Sequence, residues 1–270
     1  MYDLNDKIVV ITGGSNGIGA VVADHFLAEG AKHIRILDVD EKSGLSLQAS
    51  LNEKYGEDKV KFSECDVTNT EQFFRALVDA KEDNGFIDVL INNAGIPDES
   101  TVDIVRKQIE INYIATVFGT LKGLELMRTD KGGRGGAIIN ISSIAGLAPI
   151  CPPLFVYSSN KKAVLQFSTC IGKDTCANTG VRVIGVAYGV TDTPILKTMN
   201  TFDRQFDETV KAIVNSVPIQ SSEDAARGTV EVFKNAESAS IWLVHRSQPA
   251  TEVTKILEEA DKEIIRILCE

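Results

Sequence analysis

Cysteine is sparse in this 270-residue chain: Cys65, Cys151, Cys170, Cys176 and Cys269, odd in number, scattered, and without a Cys-x-x-Cys pair. That pattern excludes a disulfide framework and reads as reduced thiols in small buried positions. Histidine is scarcer still, and His25, His33 and His245 stand apart from the cysteines, so no metal site is expected. No apolar run reaches the roughly 18 residues that a membrane span needs. The opening Met-Tyr-Asp-Leu-Asn-Asp-Lys lacks the charged and apolar regions of a signal peptide, so a cytoplasmic protein is expected. An excess of basic residues is also missing. Lys and Arg number 28 against 38 Asp and Glu, a net charge of −10, which argues against nucleic acid and anionic membrane surfaces as partners.

What is present is apolar residue in quantity, 43% of the chain, ample for one large core. Residues 7–13 form a β-branched run ending in glycine, and 17–30 then read as a helix. Strand Ile34 to Asp38 follows, then strand 59–65, helix 70–83, strand Val89–Asn92, helix 103–128, strand 136–142, helix 157–178 and strand 181–187. Continuous apolar strands alternating with helices predict a single α/β domain, a Rossmann-like, doubly wound parallel sheet with helices on both faces. Segment 194–222 departs from the alternation, Ile241–Val244 reads as a final strand, and 251–268 reads as an amphipathic helical tail.

Two constellations carry chemistry. Tyr157 and Lys161, four residues apart, share one helical face. An ammonium beside a phenol favours phenolate, so the spacing predicts a lowered tyrosine pKa and a group able to exchange a proton with an alcohol. Such a pair also arises by chance on helix surfaces. The second is Thr12-Gly13-Gly14-Ser15-Asn16-Gly17-Ile18-Gly19, a glycine-rich turn between a strand and a helix, where backbone N–H groups can approach a pyrophosphate. Asp38 ends the next strand, at the place of a carboxylate that binds a ribose diol and repels a 2′-phosphate. Asn16 and Val39 are uncharged there, so NAD is expected over NADP.

With these motifs the chain resembles the short-chain dehydrogenase/reductase superfamily over nearly its whole length. Asn92-Asn93-Ala94-Gly95 resembles the motif after that family's fourth strand, and Asp66-Val67 its adenine-contacting pair. Within the superfamily the chain looks like the insect alcohol dehydrogenases and the NAD-dependent 15-hydroxyprostaglandin dehydrogenases. The resemblance implies that Ser143 binds the reacting oxygen, Tyr157 is the acid/base, Lys161 tunes it and binds the nicotinamide ribose, and Asn112 anchors a water in the proton relay. It also implies cofactor contacts at Gly13, Asn16, Gly17, Ile18, Gly19, Asn93, Ala94, Gly95, Gly189 and Thr193.

Two departures stand out. Ser143 lies 14 residues before Tyr157 where 13 is usual, which leaves Ser142 as a rival, and Tyr188-Gly189 replaces the usual Pro-Gly, so a bulky phenol is expected to narrow the site. The substrate side is expected to be apolar, built from Ile96, Leu147, Ile150, Cys151, Leu154, Tyr188, Ile195, Leu196 and Met199. The segment 194–222, with Phe202, Phe206 and Val210, is expected to act as a lid. The expected function is NAD-dependent interconversion of a hydrophobic alcohol and its ketone or aldehyde. The rivals are a catalytically silent storage or developmental binding protein, an NADPH-dependent carbonyl reductase, and an extended-family epimerase. A homodimer or homotetramer through helices 103–128 and 157–178, burying Phe167, is implied by the resemblance.

Overall fold

Ile8–Thr12 (β1) is buried at all five positions, as a central strand covered on both faces must be. In the computed structural model, which describes residues 1–269, β1 is followed by α1 (Gly17–Ala28), β2 (His33–Asp38), α2 (Glu41–Tyr55), β3 (Val60–Glu64), α3 (Thr70–Asn84) and β4 (Val89–Asn92). Then come α4 (Val102–Ile109), a π-helical turn (Glu110–Ile114), α5 (Ala115–Met127), β5 (Gly136–Ser143), the short α6 (Ile144–Leu147), α7 (Phe155–Thr179) and β6 (Val181–Tyr188). The chain closes with α8 (Asp207–Ser216), α9 (Ser222–Asn235), β7 (Ile241–Val244), β8 (Thr251–Glu252) and α10 (Thr254–Cys269).

Among the described residues the eight strands form one sheet in the order β3-β2-β1-β4-β5-β6-β7-β8. All pairings are parallel except β7 with β8. The winding reverses between β1 and β4, and ligands of open α/β sheets bind at the carboxyl ends of the strands beside such a switch point. Alternate side chains serve two cores. Val9, Ile11, Ile34 and Ile36 face α1 and α9, where Phe26 and Phe233 meet edge to face with centroids 6.0 Å apart. Val10, Leu37, Leu90 and Ile138 face Phe73 and Leu77 of α3 and Leu124 and Met127 of α5. Truncating the fully buried Phe26 to alanine would cost about 3–5 kcal/mol.

The parallel α/β sheet is as expected; several elements are not. Helix α2 went unanticipated because its mean hydropathy is low and only Gly44 and Leu51 are buried; its clear signal is Asp40, whose side chain caps the helix by accepting from Ser43 N–H. The expected continuous helix 103–128 is interrupted by the π-helical turn that carries Asn112, a distortion common at functional sites. The tail begins with an antiparallel edge strand before its helix, and no residue of α10 is buried. No helix among the described residues is long and apolar enough to cross a membrane.

Candidate active site

The turn after β1 is built by contact, not only by flexibility. Gly13 sits at φ +62°, and a Cβ there would lie 2.8 Å from the Ala94 backbone; one on Gly19 would lie 2.5 Å from the Gly13 carbonyl. Asn93 fastens this turn to the end of β4, its amide donating to the carbonyls of Thr12 at 3.0 Å and Gly13 at 2.8 Å. Helix α1 starts without a side-chain cap and without an acid in its first turn, so its N–H groups and positive end remain open to an anion. The Ser15 hydroxyl is buried there without a partner. Beyond it, Asp38 accepts from the N–H groups of Ser15 at 3.0 Å and Asp40 at 3.1 Å, and Asp40 accepts from the Asn16 amide at 2.9 Å. A groove of about 620 Å³ runs past Asn16, Asp38, Asp66, Val67, Ala94 and Thr193. Its open helix end, unpaired buried hydroxyl and ribose-side acids fit a dinucleotide without a 2′-phosphate.

Ser143, Tyr157 and Lys161 line one pocket of about 120 Å³ at the end of that groove, with Asn93 and Gly95 beside them. Their elements explain the convergence. Ser143 ends β5, and the extra residue between it and Tyr157 lies in the stretch formed by α6 and the loop before α7. The neighbouring Ser142 is committed elsewhere: its buried hydroxyl donates to the Lys161 carbonyl at 2.7 Å and pins α7 to β5. Tyr157 is half-buried, and desolvation of its phenol raises the pKa above 10.0; the Ser143 side chain pulls the other way and does not overcome desolvation. Lys161 Nζ donates to the Ile141 carbonyl at 3.0 Å and lies 5.8 Å from the Tyr157 ring centre. Burial brings that amine down to about 8. The lowering of the tyrosine expected from helical spacing is therefore absent in the cofactor-free protein, because desolvation outweighs a cation directed at a carbonyl. Asn112, fully buried, donates to the Ile96 carbonyl at 2.7 Å and accepts from Ile96 N–H at 2.8 Å. A Cβ on Gly95 would stand 3.2 Å from Asn112 Oδ1 and 3.4 Å from Lys161 Nζ, so both side chains meet the same backbone.

The apolar residues expected around the substrate separate into groups. Ile195, Leu196 and Met199 line the pocket, and Ile96 lines the neighbouring groove. Cys151, Leu154 and Val210 instead make a small core of their own, against which Tyr157 and Met199 pack. Leu147 joins Leu165, Ile241 and Val253. Ile150, Phe202 and Phe206 are exposed. Tyr188 contributes to the lining, but its hydroxyl points into the core against Thr229 at 2.5 Å, and burial raises its pKa. The expected narrowing by that phenol does not arise, because the side chain belongs to the core cluster facing α9. Gly189 donates its N–H to the Val244 carbonyl at 2.9 Å and passes too close to His245 for a side chain.

Two acids escaped the sequence reading. Asp40 had a local signal, an N-cap three residues before Ser43. Glu99 had none: fully buried, it accepts at Oε1 from Tyr157 N–H at 2.6 Å, across 58 residues of chain.

A family model described as short chain dehydrogenase matches residues 7–204. The NAD(+) 15-hydroxyprostaglandin dehydrogenase of Bos taurus is 36% identical over 200 residues, 73% of this chain and 72% of the relative. Alcohol dehydrogenase 2 of Ceratitis capitata is 32% identical over 243 residues, 89% of this chain and 92% of the relative. The crystal structure of levodione reductase superposes with a TM-score of 0.76 at 24% identity, covering 89% of this chain and 96% of that one, a likeness of fold.

Proposed function

The chain belongs to the short-chain dehydrogenase family, and from that premise we propose that it interconverts a hydrophobic alcohol and its ketone or aldehyde with NAD, using Ser143, Tyr157, Lys161 and Asn112. NAD, when bound, accepts or supplies the hydride. Ser143 holds the alcohol oxygen, and Tyr157 takes the hydroxyl proton during oxidation and returns it during reduction. Lys161 presents a cation to the cofactor ribose and to Tyr157, and Asn112 keeps the turn around Ile96 in place. The turn residues Gly13, Asn16, Gly17, Ile18 and Gly19 receive the pyrophosphate, Asp38 the adenosine ribose, and Asp66 and Val67 the adenine. Asn93, Ala94, Gly95, Gly189 and Thr193 take the nicotinamide side. The carrying observation is the convergence of Ser143, Tyr157 and Lys161 on one pocket, with Lys161 one turn of helix from Tyr157, beside an uncapped helix end.

The pocket's apolar residues Ile141, Val190, Ile195, Leu196 and Met199, with Lys161 its one cation, suit an uncharged lipophilic substrate. Segment 194–222 closes over it as a lid, and Ile150 stands at its rim. The intact relay opposes a silent binding protein, and paired acids at the ribose end oppose an NADPH reductase. A panel of alcohols and ketones assayed with NAD and NADP is the direct test; turnover in neither direction by the unmodified enzyme overturns the reading.

Assembly draws on the exposed apolar positions of α5 and the preceding turn, Leu121 and Ile114, and on the half-buried Phe167 of α7. A two-fold axis there buries one patch twice, giving a homodimer, or a homotetramer by a second contact. Light scattering reads it, and Phe167→Glu should dissociate it. The unpaired thiols fit a cytoplasmic location.

A further inference from the structure

Helix α7 carries Tyr157 and Lys161, yet its N-cap residue is Leu154, whose side chain cannot accept a hydrogen bond. The missing acceptor comes from another part of the chain. Glu99, in the loop after β4, accepts from Tyr157 N–H at 2.6 Å. That is the one bond of good geometry to its carboxylate. Burial raises the Glu99 pKa, and the N–H groups of Tyr157, Val156 and Phe155 and the Gln108 side chain oppose the rise. Its second oxygen is buried without a partner.

The surroundings of Glu99 connect three parts of the site. Gln108, fully buried on α4, donates to the Asp98 carbonyl and accepts at 3.4 Å from Asn160, inside the Tyr-to-Lys turn. Glu99 N–H donates to the Asn200 carbonyl at 2.8 Å, and the Asn200 amide donates to Asp98 at 3.1 Å. Asn200 follows Met199, which lines the pocket. One buried carboxylate thus ties the first turn of α7 to the loop that touches the substrate-side segment. A buried carboxyl with one oxygen left unpartnered costs stability, so its retention here points to a task beyond packing.

We propose that Glu99 is a positioning residue for the reaction: by capping α7 at Tyr157 itself, it sets the approach of the phenol to Ser143 and to the reacting oxygen. The inference rests on the assignment of Tyr157 as acid/base. Misplacing a reacting group by about 1 Å costs on the order of a hundredfold.

The test compares Glu99→Leu, of similar size but with no acceptor, with Glu99→Gln, which keeps one acceptor oxygen. Single-turnover formation of NADH is measured on the NAD-loaded enzyme with its best alcohol. Glu99→Leu should slow hydride transfer about a hundredfold while leaving the Kd for NAD within about twofold, and Glu99→Gln should restore most of the rate. Leu51→Ala in the remote α2 core controls for stability loss, and should lower Tm without slowing turnover. If both Glu99 variants keep the unmodified rate, or if Glu99→Gln is as slow as Glu99→Leu while Leu51→Ala also slows, the role is structural and the proposal fails. Should Glu99→Leu not fold, a Glu99→Gln enzyme with unmodified rate and an unmodified pH profile also refutes it, and one with a slower rate and retained NAD affinity supports it. Tyr157→Phe run alongside separates the two levels: turnover surviving in Tyr157→Phe refutes the assignment of the acid/base, not the cap.

Discussion

Lys161 Nζ lies 3.0 Å from the carbonyl oxygen of Ile141, on the strand that carries Ser143. The amine is held by backbone, in a site where burial lowers its pKa to about 8. In the unfolded chain the same amine titrates near 10.5. Between these values the unfolded state binds more protons than the folded one, so folding stability rises with pH. Below about 8 the full cost of burying the ammonium is present, and it disappears as pH climbs towards 10.5.

That relationship predicts a pH-dependent Tm in the cofactor-free protein. Tm should increase from pH 8 to pH 10 in the unmodified enzyme, and the Lys161→Met profile should lack this increase. Parallel profiles would show that the amine is not desolvated. Lys161→Met should also abolish most turnover, so the site keeps a stabilising substitution unused.

Tyr157 leads to a spectroscopic expectation. Because burial raises its pKa above 10.0, ultraviolet titration of the cofactor-free enzyme should show no tyrosinate below pH 9 that Tyr157→Phe removes. Detection of such a signal would contradict the burial argument. Oxidised NAD bears positive charge at its nicotinamide, and repeating the titration on the loaded enzyme measures how far that charge lowers the phenol.

Cofactor choice should reside in Asp38 with Asp40. Charged hydrogen bonds are worth about 1.5–3 kcal/mol, so Asp38→Asn should reduce the NAD over NADP preference in kcat/KM by roughly tenfold or more. Asp40→Asn should relax it further by loosening the Asn16 contact. Equal use of both cofactors by the unmodified enzyme would refute the role of both acids.

Tyr188 should matter for stability and not for turnover. Tyr188→Phe removes its bond to Thr229, costing about 1–2 kcal/mol, while kcat should stay within about twofold. A large loss of kcat at unchanged Tm would place the phenol in the reaction after all.

What the sequence by itself determined was local. The glycine turn, the acid ending β2, the Tyr-to-Lys spacing and the apolar strands depend on residues within a few positions of one another, and backbone geometry turns such patterns directly into elements. Helix α2 was legible only through the Asp40 cap, since its polar composition leaves little periodic signal. Tertiary structure decided what depends on distance and dielectric. It placed Ser143 against Tyr157 and gave Ser142 to the Lys161 carbonyl, a choice between adjacent hydroxyls that strand pleat makes only once α7 is docked. It turned Tyr188 inward, raised the pKa of Tyr157 where spacing suggested lowering, and brought Glu99 to a helix end 58 residues away. Desolvation and long-range capping have no sequence period, because they depend on which surfaces the folded chain removes from water.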